Sequence, residues 1–318
     1  MRWVSLLLLV PIPWAGRTWA LPFLSVLAPS ERYDAAQGQR HKVLTDWARQ
    51  MVRVVHRWWP TRPLVLVGDT AYATLEFLAA TRSVTTIVTR LRLDARLFEP
   101  PPPRAPQQQG RPRVVGARLP TLAARLGDPT TLWTPLTVPF WYGETERTSE
   151  IVSDTALWYS TGLPPVPVRW VLIRDPDAAF PPQALLCTDL DASPTQIVSW
   201  FVLRWQLEVT FHEVRDHLGV ETGRGWSEKT IRRTTPALLG LFSFVTLVAH
   251  DQWTQRLPLV KGAAWYRKRE PTFTDAIAVV RRSLWAHMAF QTSPSTGDLR
   301  KVPRAVADHL CDMLCYAA

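Results

Sequence analysis

The segment 201–215 combines charged side chains with a strongly apolar stretch. Arg204, Glu208 and Arg215 follow one another at spacings of four and seven residues. At about 100° per residue, a helix carries Glu208 about 40° and Arg215 about 20° from Arg204, so one carboxylate lies between two guanidiniums. Such a group either forms a ladder of surface ion pairs or lines a functional cleft, and this geometry leaves both open.

The sequence predicts a helix with defined ends around this segment. Ser193 suits the N-cap, Pro194 suits the first helical position, and Gln196 completes a capping box. The helix is expected to continue to Leu218, where Gly219 terminates it.

A second carboxylate, Asp69, ends a short apolar run over 63–69 that predicts a fully buried strand. The neighbouring elements are predicted as strands at 3–10, 18–27 and 85–91, and as helices at 41–58 and 71–80. Strands and helices that alternate in this order are typical of an α/β domain.

The composition changes after residue 98. Four prolines at 100–103 precede a glutamine run at 107–109 and several arginines, which predicts a stiff, basic connector. This connector is either a solvated loop or an arm that contacts phosphates. Residues 131–175 favour short antiparallel strands. The clearest strands in this part of the chain are 166–173 and, further downstream, 184–188. Residues 228–253 predict a pair of helices interrupted near Pro236.

The whole chain of 318 residues is 47% hydrophobic and carries a net charge of +10. This length supports a sizeable core, and the surplus of positive charge favours a nucleic-acid partner. Three cysteines cannot form a disulfide framework, which favours a reducing compartment. We expect no membrane span, since no apolar run reaches about 18 residues. The apolar N-terminus predicts strands, with a cleaved secretory signal as an alternative.

The pattern Phe201-x2-Arg204-x3-Glu208-x6-Arg215 resembles the Y-R-E-K signature of insertion-sequence DDE transposases, with Phe in place of Tyr and Arg in place of Lys. Residues 67–72 resemble the strand that carries the second aspartate of that family. Further similar segments are 218–222, 226–227 and 231–236, so that the resemblance covers most of residues 1–255.

This resemblance implies an α/β fold with an RNase H-like mixed sheet and helices, split over 1–98 and 183–255. A β-rich insertion at 99–182 would interrupt it, and helices at 256–318 would follow. Asp69 and Glu208 would be catalytic carboxylates that bind Mg²⁺, with Mn²⁺ as a substitute.

The resemblance also implies residues that contact DNA. Arg204 and Arg215 would hold phosphates, and Trp205 would stack on an unpaired base. Phe201 keeps the ring of the family's Tyr and lacks its hydroxyl. The expected partner is double-stranded DNA at the element's terminal repeats and at its target. A homodimer is expected for the active protein, in the bacterial cytoplasm and near the nucleoid.

The family's first aspartate has no counterpart at a matching position. Asp34 and Asp46 follow the third strand of the expected sheet, and only Asp189 could lie near the site. We therefore expect an N-terminally truncated transposase with impaired catalysis. The alternatives are an RNase H-like nuclease outside transposition and a non-catalytic DNA-binding repressor derived from a transposase.

Overall fold

A computed structural model describes residues 2–104, 110–139, 141, 146–223, 227–255, 268, 270–287 and 303–316. The chain forms two compact units. The first unit comprises Met1–Val4 and Ala28–Trp205, and the second comprises Ser5–Leu27 and Gln206–Ala318. The predicted glutamine run at 107–109 and Trp226 lie outside the described residues.

Nine strands and nine α-helices occur in the described part of the chain. The strands are β1 (Arg2–Ile12), β2 (Arg17–Ala28), β3 (Val65–Val67), β4 (Thr86–Leu91), β5 (Leu97–Phe98), β6 (Thr134–Pro139), β7 (Glu146–Trp158), β8 (Val166–Arg174) and β9 (Gln183–Cys187). The helices are α1 (Glu31–Ala36), α2 (Leu44–Trp58), α3 (Leu75–Thr81), α4 (Leu122–Gly127), α5 (Pro194–Leu203), α6 (Trp205–Leu218), α7 (Glu228–Gln255), α8 (Phe273–His287) and α9 (Arg304–Cys315).

A seven-stranded mixed sheet organises the first unit. Its strand order is β3-β4-β9-β8-β7-β5, and β6 pairs with β7. The pair β3–β4 is parallel, and the other pairs are antiparallel. The predicted α/β class with a mixed sheet is therefore confirmed. The strands expected at 131–175 also form, and they extend this same sheet. The predicted domain bounds themselves stay a prediction.

The sheet buries both of its faces, as the side-chain alternation along β8 shows. Trp170 and Leu172 belong to a core cluster that includes residues of α2 and α3, whereas Val171 and Ile173 belong to one that includes α5. Because neighbouring side chains on a strand point to opposite faces, a strand covered on both sides needs a continuous apolar run. The apolar sequence of β8 meets this need.

The strand predicted at 63–69 is shorter and less buried than expected. β3 covers only Val65–Val67, and Val65 is 42% exposed. β3 ends the strand order of the sheet, so its outer side chains lack the cover that a central strand receives. The helix predicted at 71–80 is also divided, into a 3₁₀ turn at Thr70–Tyr72 and α3.

The second unit combines the two-stranded β1–β2 sheet with α6, α7, α8 and α9. Its core contains Trp19 of β2, Phe242 of α7 and Phe273 of α8, and the two Phe ring centroids lie 4.3 Å apart. Thr210 of α6 donates a hydrogen bond to the carbonyl oxygen of Ala20 at 2.8 Å. Helices and the β1–β2 sheet are thus joined by aromatic packing and a buried hydrogen bond.

The helix pair predicted at 228–253 is a single helix. α7 is 28 residues long and continues through Pro236. Leu239, Phe242 and Ala249, which follow the proline, are buried. A proline removes one backbone donor, but apolar packing on its far side can maintain the helix. By length and composition alone, Glu228–Thr254 could also cross a membrane, contrary to our expectation of no such run. Core helices share this property, so it assigns no location.

Candidate functional site

Asp69 lies directly beyond the carboxyl end of β3, as the sequence predicted. Its Oδ1 accepts a hydrogen bond from the backbone N–H of Ala71 at 3.0 Å and caps the following 3₁₀ turn. Its carbonyl oxygen accepts a hydrogen bond from Thr89 Oγ1 at 2.9 Å. Burial first, and the nearby charge of Asp69 second, raise the pKa of Tyr72. The exposed carboxylate therefore has a fixed backbone and one oxygen bonded to a turn.

Arg90 lies at the same end of the sheet as Asp69. Val67 pairs with Val88 in the parallel ladder, so two residues further along each strand place Asp69 level with Arg90. Sequence reasoning missed Arg90. The available signal was a single charged residue in the otherwise uncharged strand Thr86–Leu91.

Phe201 joins Arg90 to Arg204. The Cζ atom of Arg90 lies 5.6 Å from the Phe201 ring centroid, and that of Arg204 lies 5.7 Å from it. Both distances are within the range of cation–π attraction. Phe201 itself is 2% exposed and packs in the core cluster that α5 shares with the sheet. The direct DNA contact expected for Phe201 conflicts with this burial, because a covered ring can only support the two arginines.

The helix that carries the signature residues begins as predicted and is then divided. Ser193 and Gln196 form both hydrogen bonds of the capping box. α5 ends at Leu203 and α6 begins at Trp205, whereas one helix was expected. Arg204 keeps right-handed helical dihedral angles, and its N–H donates to the carbonyl oxygens of Phe201 and Val202. Bonding to Phe201, three residues back, tightens the turn at this point.

Glu208 and Arg215 lie on α6. They are seven residues apart, which places them on one face two turns apart. Glu208 is exposed in the first helical turn. Arg215 Nε donates to the carbonyl oxygen of Phe211 at 3.0 Å, and its Nη1 lies 4.0 Å from Glu221 Oε2. Trp205, at the start of the same helix, is 41% exposed, as stacking on a base requires.

Glu213 is the carboxylate on the other side of α6, about 140° around the helix from Glu208. It lines a small pocket with Arg17, Trp19 and other residues of the second unit. Burial raises the pKa of Glu213, while the positive charges of His217 and Arg17 oppose that rise. Its Oε2 lies 3.4 Å from His217 Nε2. Glu213 is therefore a partly buried residue of the second unit.

Asp189 lies at the opposite end of β4 from Asp69, which corrects its possible place at the site. The N–H of Thr188 donates to the carbonyl oxygen of Ile87, so Asp189 is level with Thr86 and Asp69 with Arg90. Four residues at about 3.3 Å each separate the two levels by about 13 Å. Ligands of one hard cation lie about 2–2.6 Å from it, so these carboxylates cannot share one.

The carboxylates at 69 and 208 fit a hard divalent cation by their chemistry, since such ions prefer oxygen ligands. Asp69 belongs to the first unit and Glu208 to the second. No group of three or more His, Cys, Asp or Glu side chains that could hold a metal occurs among the described residues. The pairing of Asp69 with Glu208 thus stays a prediction.

Comparison with known protein families identifies a match over the N-terminal half of the chain. Residues 1–162, half of the chain, match the family described as DDE superfamily endonuclease. The matched region contains Asp69 and Arg90 and ends before α5, so the signature at 201–215 is outside it. No curated protein matches the chain.

Proposed function

Because the chain belongs to the DDE superfamily endonucleases, we propose that it is an insertion-sequence DNA transposase that acts at the ends of its element. Membership in this family implies a nuclease or transposase activity on DNA, and the mixed α/β sheet is consistent with an RNase H-like fold. The observation that carries the proposal is a carboxylate, Asp69, level on the sheet with an arginine, Arg90, that shares an aromatic support with Arg204.

DDE superfamily endonucleases use divalent metal ions. In our proposal Asp69 and Glu208 would hold them, with Mg²⁺ as the natural ion and Mn²⁺ as its substitute. A divalent ion supplies charge stabilisation and an activated oxygen nucleophile for displacement at phosphorus. The backbone hydrogen bonds around Asp69 would keep its carboxylate in place.

The arginines would hold the DNA. A guanidinium presents a fork of donors that matches phosphate oxygens, and Phe201 restricts where the guanidiniums of Arg90 and Arg204 can lie. On α6, Arg215 would contact a further phosphate and the exposed ring of Trp205 would stack on an unpaired base. The net charge of +10 supports a polyanionic partner.

Several finer features belong to the same proposal. The active protein would be a homodimer in the bacterial cytoplasm, at the nucleoid. The absence of the family's first aspartate and the resulting impaired catalysis also stay predictions.

A cleavage assay on DNA that carries the element's ends tests the proposed function. The purified chain, Asp69→Asn and Glu208→Gln are compared in Mg²⁺, Mn²⁺ and EDTA, with Glu213→Gln as a matched carboxylate control on the same helix. Weak metal-dependent cleavage that both site variants abolish supports the proposal. Vigorous cleavage that Glu208→Gln abolishes overturns the predicted impairment. Cleavage with no preference for the ends favours a nuclease, and metal-independent binding without cleavage favours a repressor.

A further inference from the structure

A cleft with several charged residues lies in the first unit, lined by residues that the proposed catalysis does not use. Its volume is about 230 Å³. The lining comes from the start of β1, the turn after β2 and the segment before α2, and comprises Arg2, Ala28, Pro29, Ser30, Glu31, His41, Lys42 and Leu44. A water molecule occupies about 30 Å³ in the liquid, so the cleft has room for a phosphate group with several waters.

Three cationic or potentially cationic side chains line this cleft, namely Arg2, His41 and Lys42. Lys42 Nζ lies 4.7 Å from the centroid of the Trp47 ring, which restricts its long side chain. Arg2 is exposed and shows no side-chain partner among the described residues. Positive charge here is therefore concentrated and available to a ligand.

His41 is oriented by a buried carboxylate. Its Nδ1 lies 2.7 Å from Oδ2 of Asp34, whose side chain is 7% exposed. A carboxylate on one ring nitrogen fixes the ring and favours a proton on that nitrogen. Nε2 then faces the ligand, and it donates a hydrogen bond to a phosphate oxygen when the ring carries both protons. Within the described residues, Nε2 has no other hydrogen-bond partner. The pair makes His41 a rigid polar wall of the cleft.

We propose that this cleft binds one phosphate group of the DNA backbone, outside the catalytic site, through Arg2, His41 and Lys42. The choice of DNA rests on the proposed function, whereas the preference for an anion rests on the side chains of the cleft. Glu31 also lines the cleft and would repel a phosphate. Removal of the negative charge of Glu31 should therefore strengthen binding of the phosphate.

Binding of the full chain to a fluorescent 30-base-pair duplex, at several salt concentrations, tests the proposal. Arg2→Gln and Lys42→Gln should each weaken binding roughly three- to tenfold. Each should also make the negative slope of log affinity against log salt shallower by about 0.9, as loss of one phosphate contact requires. Lys42→Arg should retain both. Arg82→Gln, at an exposed arginine after α3, is the matched control.

Glu31→Gln should change duplex affinity in the opposite direction. It should tighten duplex binding about two- to fivefold, because a repelling charge is replaced by a neutral side chain of the same shape. Glu76→Gln is its control, since Glu76 is also an exposed glutamate in the first turn of a short helix. Unchanged affinity and salt slope in Arg2→Gln and Lys42→Gln, with normal thermal unfolding, would overturn the proposal.

Two further measurements distinguish failure of the proposed DNA contact in the cleft from failure of the proposed function. If inorganic phosphate binds wild type and not Lys42→Gln, while duplex affinity is equal in both, the cleft serves a small anion and the DNA contact is refuted. If the proposed transposition is wrong, the end-cleavage assay fails for every variant, but the salt slopes on an unrelated duplex still report on the cleft.

Discussion

Helices α5 and α6 divide one signature segment into two halves with different surroundings. α5 buries Ile197, Val198, Phe201 and Val202 in the core of the first unit. α6 belongs mainly to the second unit and buries only Thr210 and Val214. The same short stretch of sequence therefore supplies a structural half and an exposed, charged half.

The composition of the two helices explains this difference. α5, with the sequence PTQIVSWFVL, has no charged residue, so its apolar side chains can cover one face of the sheet. α6, with the sequence WQLEVTFHEVRDHL, has charged residues along its length. The comparison indicates that substitutions in α5 act on folding and on the arginine support, whereas substitutions of exposed charges in α6 act on chemistry.

Substitution of the proposed metal ligands should give the largest effect. Asp69→Asn and Glu208→Gln remove carboxylate charge from the site and should lower metal-dependent cleavage about a thousandfold or to the detection limit, since metal catalysis contributes several kcal/mol. End-labelled DNA cleavage measures this. Glu213→Gln, on the other face of α6, should cleave at the wild-type rate. Equal activity of Glu208→Gln and wild type would exclude Glu208 from the mechanism.

Phe201→Ala should produce the next largest effect, and it acts on stability. Removing a buried Phe ring costs about 3–5 kcal/mol in unfolding free energy, because transfer and cavity terms add. Urea denaturation measures the loss, and Phe201→Leu, which keeps most of the volume, should cost less than half of it. A change within 0.5 kcal/mol, as is common for surface substitutions, would contradict the burial of this ring.

Much of the fold could be predicted because its signals are local. The apolar runs at β1, β2, β4, β8 and β9, and the capping residues Ser193 and Gln196, each act through neighbouring residues. Gly219 also has the positive φ of 72° that its predicted role as helix terminator needs. Such features are visible in a single sequence without knowledge of the tertiary structure.

The remaining features depend on contacts between distant residues. The position of Asp189 follows from antiparallel pairing of β9 with β4, and the exposure of Val65 follows from the edge position of β3. The role proposed for Arg90 depends on its contact with the ring of Phe201, which lies 111 residues later in the sequence. Helical spacing also predicted one helix through Arg204 and Glu208, whereas α5 ends at Leu203 and α6 begins at Trp205.

The arginine pair gives a smaller expected effect, on DNA affinity. Arg90→Gln and Arg204→Gln should each weaken duplex binding roughly three- to tenfold. Each should also make the slope of log affinity against log salt shallower by about 0.9. Fluorescence anisotropy of the two single variants and the double variant measures their coupling. Two separate phosphates predict additive losses, whereas one shared phosphate predicts a double variant no weaker than the weaker single variant. Salt slopes equal to that of Arg82→Gln would refute a role in DNA binding.

The smallest effect is expected for Glu213→Gln on thermal stability, and its size depends on pH. Burial raises the pKa of this carboxyl in the folded protein, so protonation favours folding. The stabilisation is complete below the pKa of the unfolded chain and is lost as pH rises through the folded pKa. Glu213→Gln, which is always neutral, should therefore unfold on the order of 1 °C higher than wild type at pH 7 and together with it near pH 4. Glu228→Gln, which removes an exposed ion pair with Arg232, provides the control in thermal unfolding. A lower midpoint for Glu213→Gln at pH 7 would show that attraction to His217 and Arg17 outweighs burial.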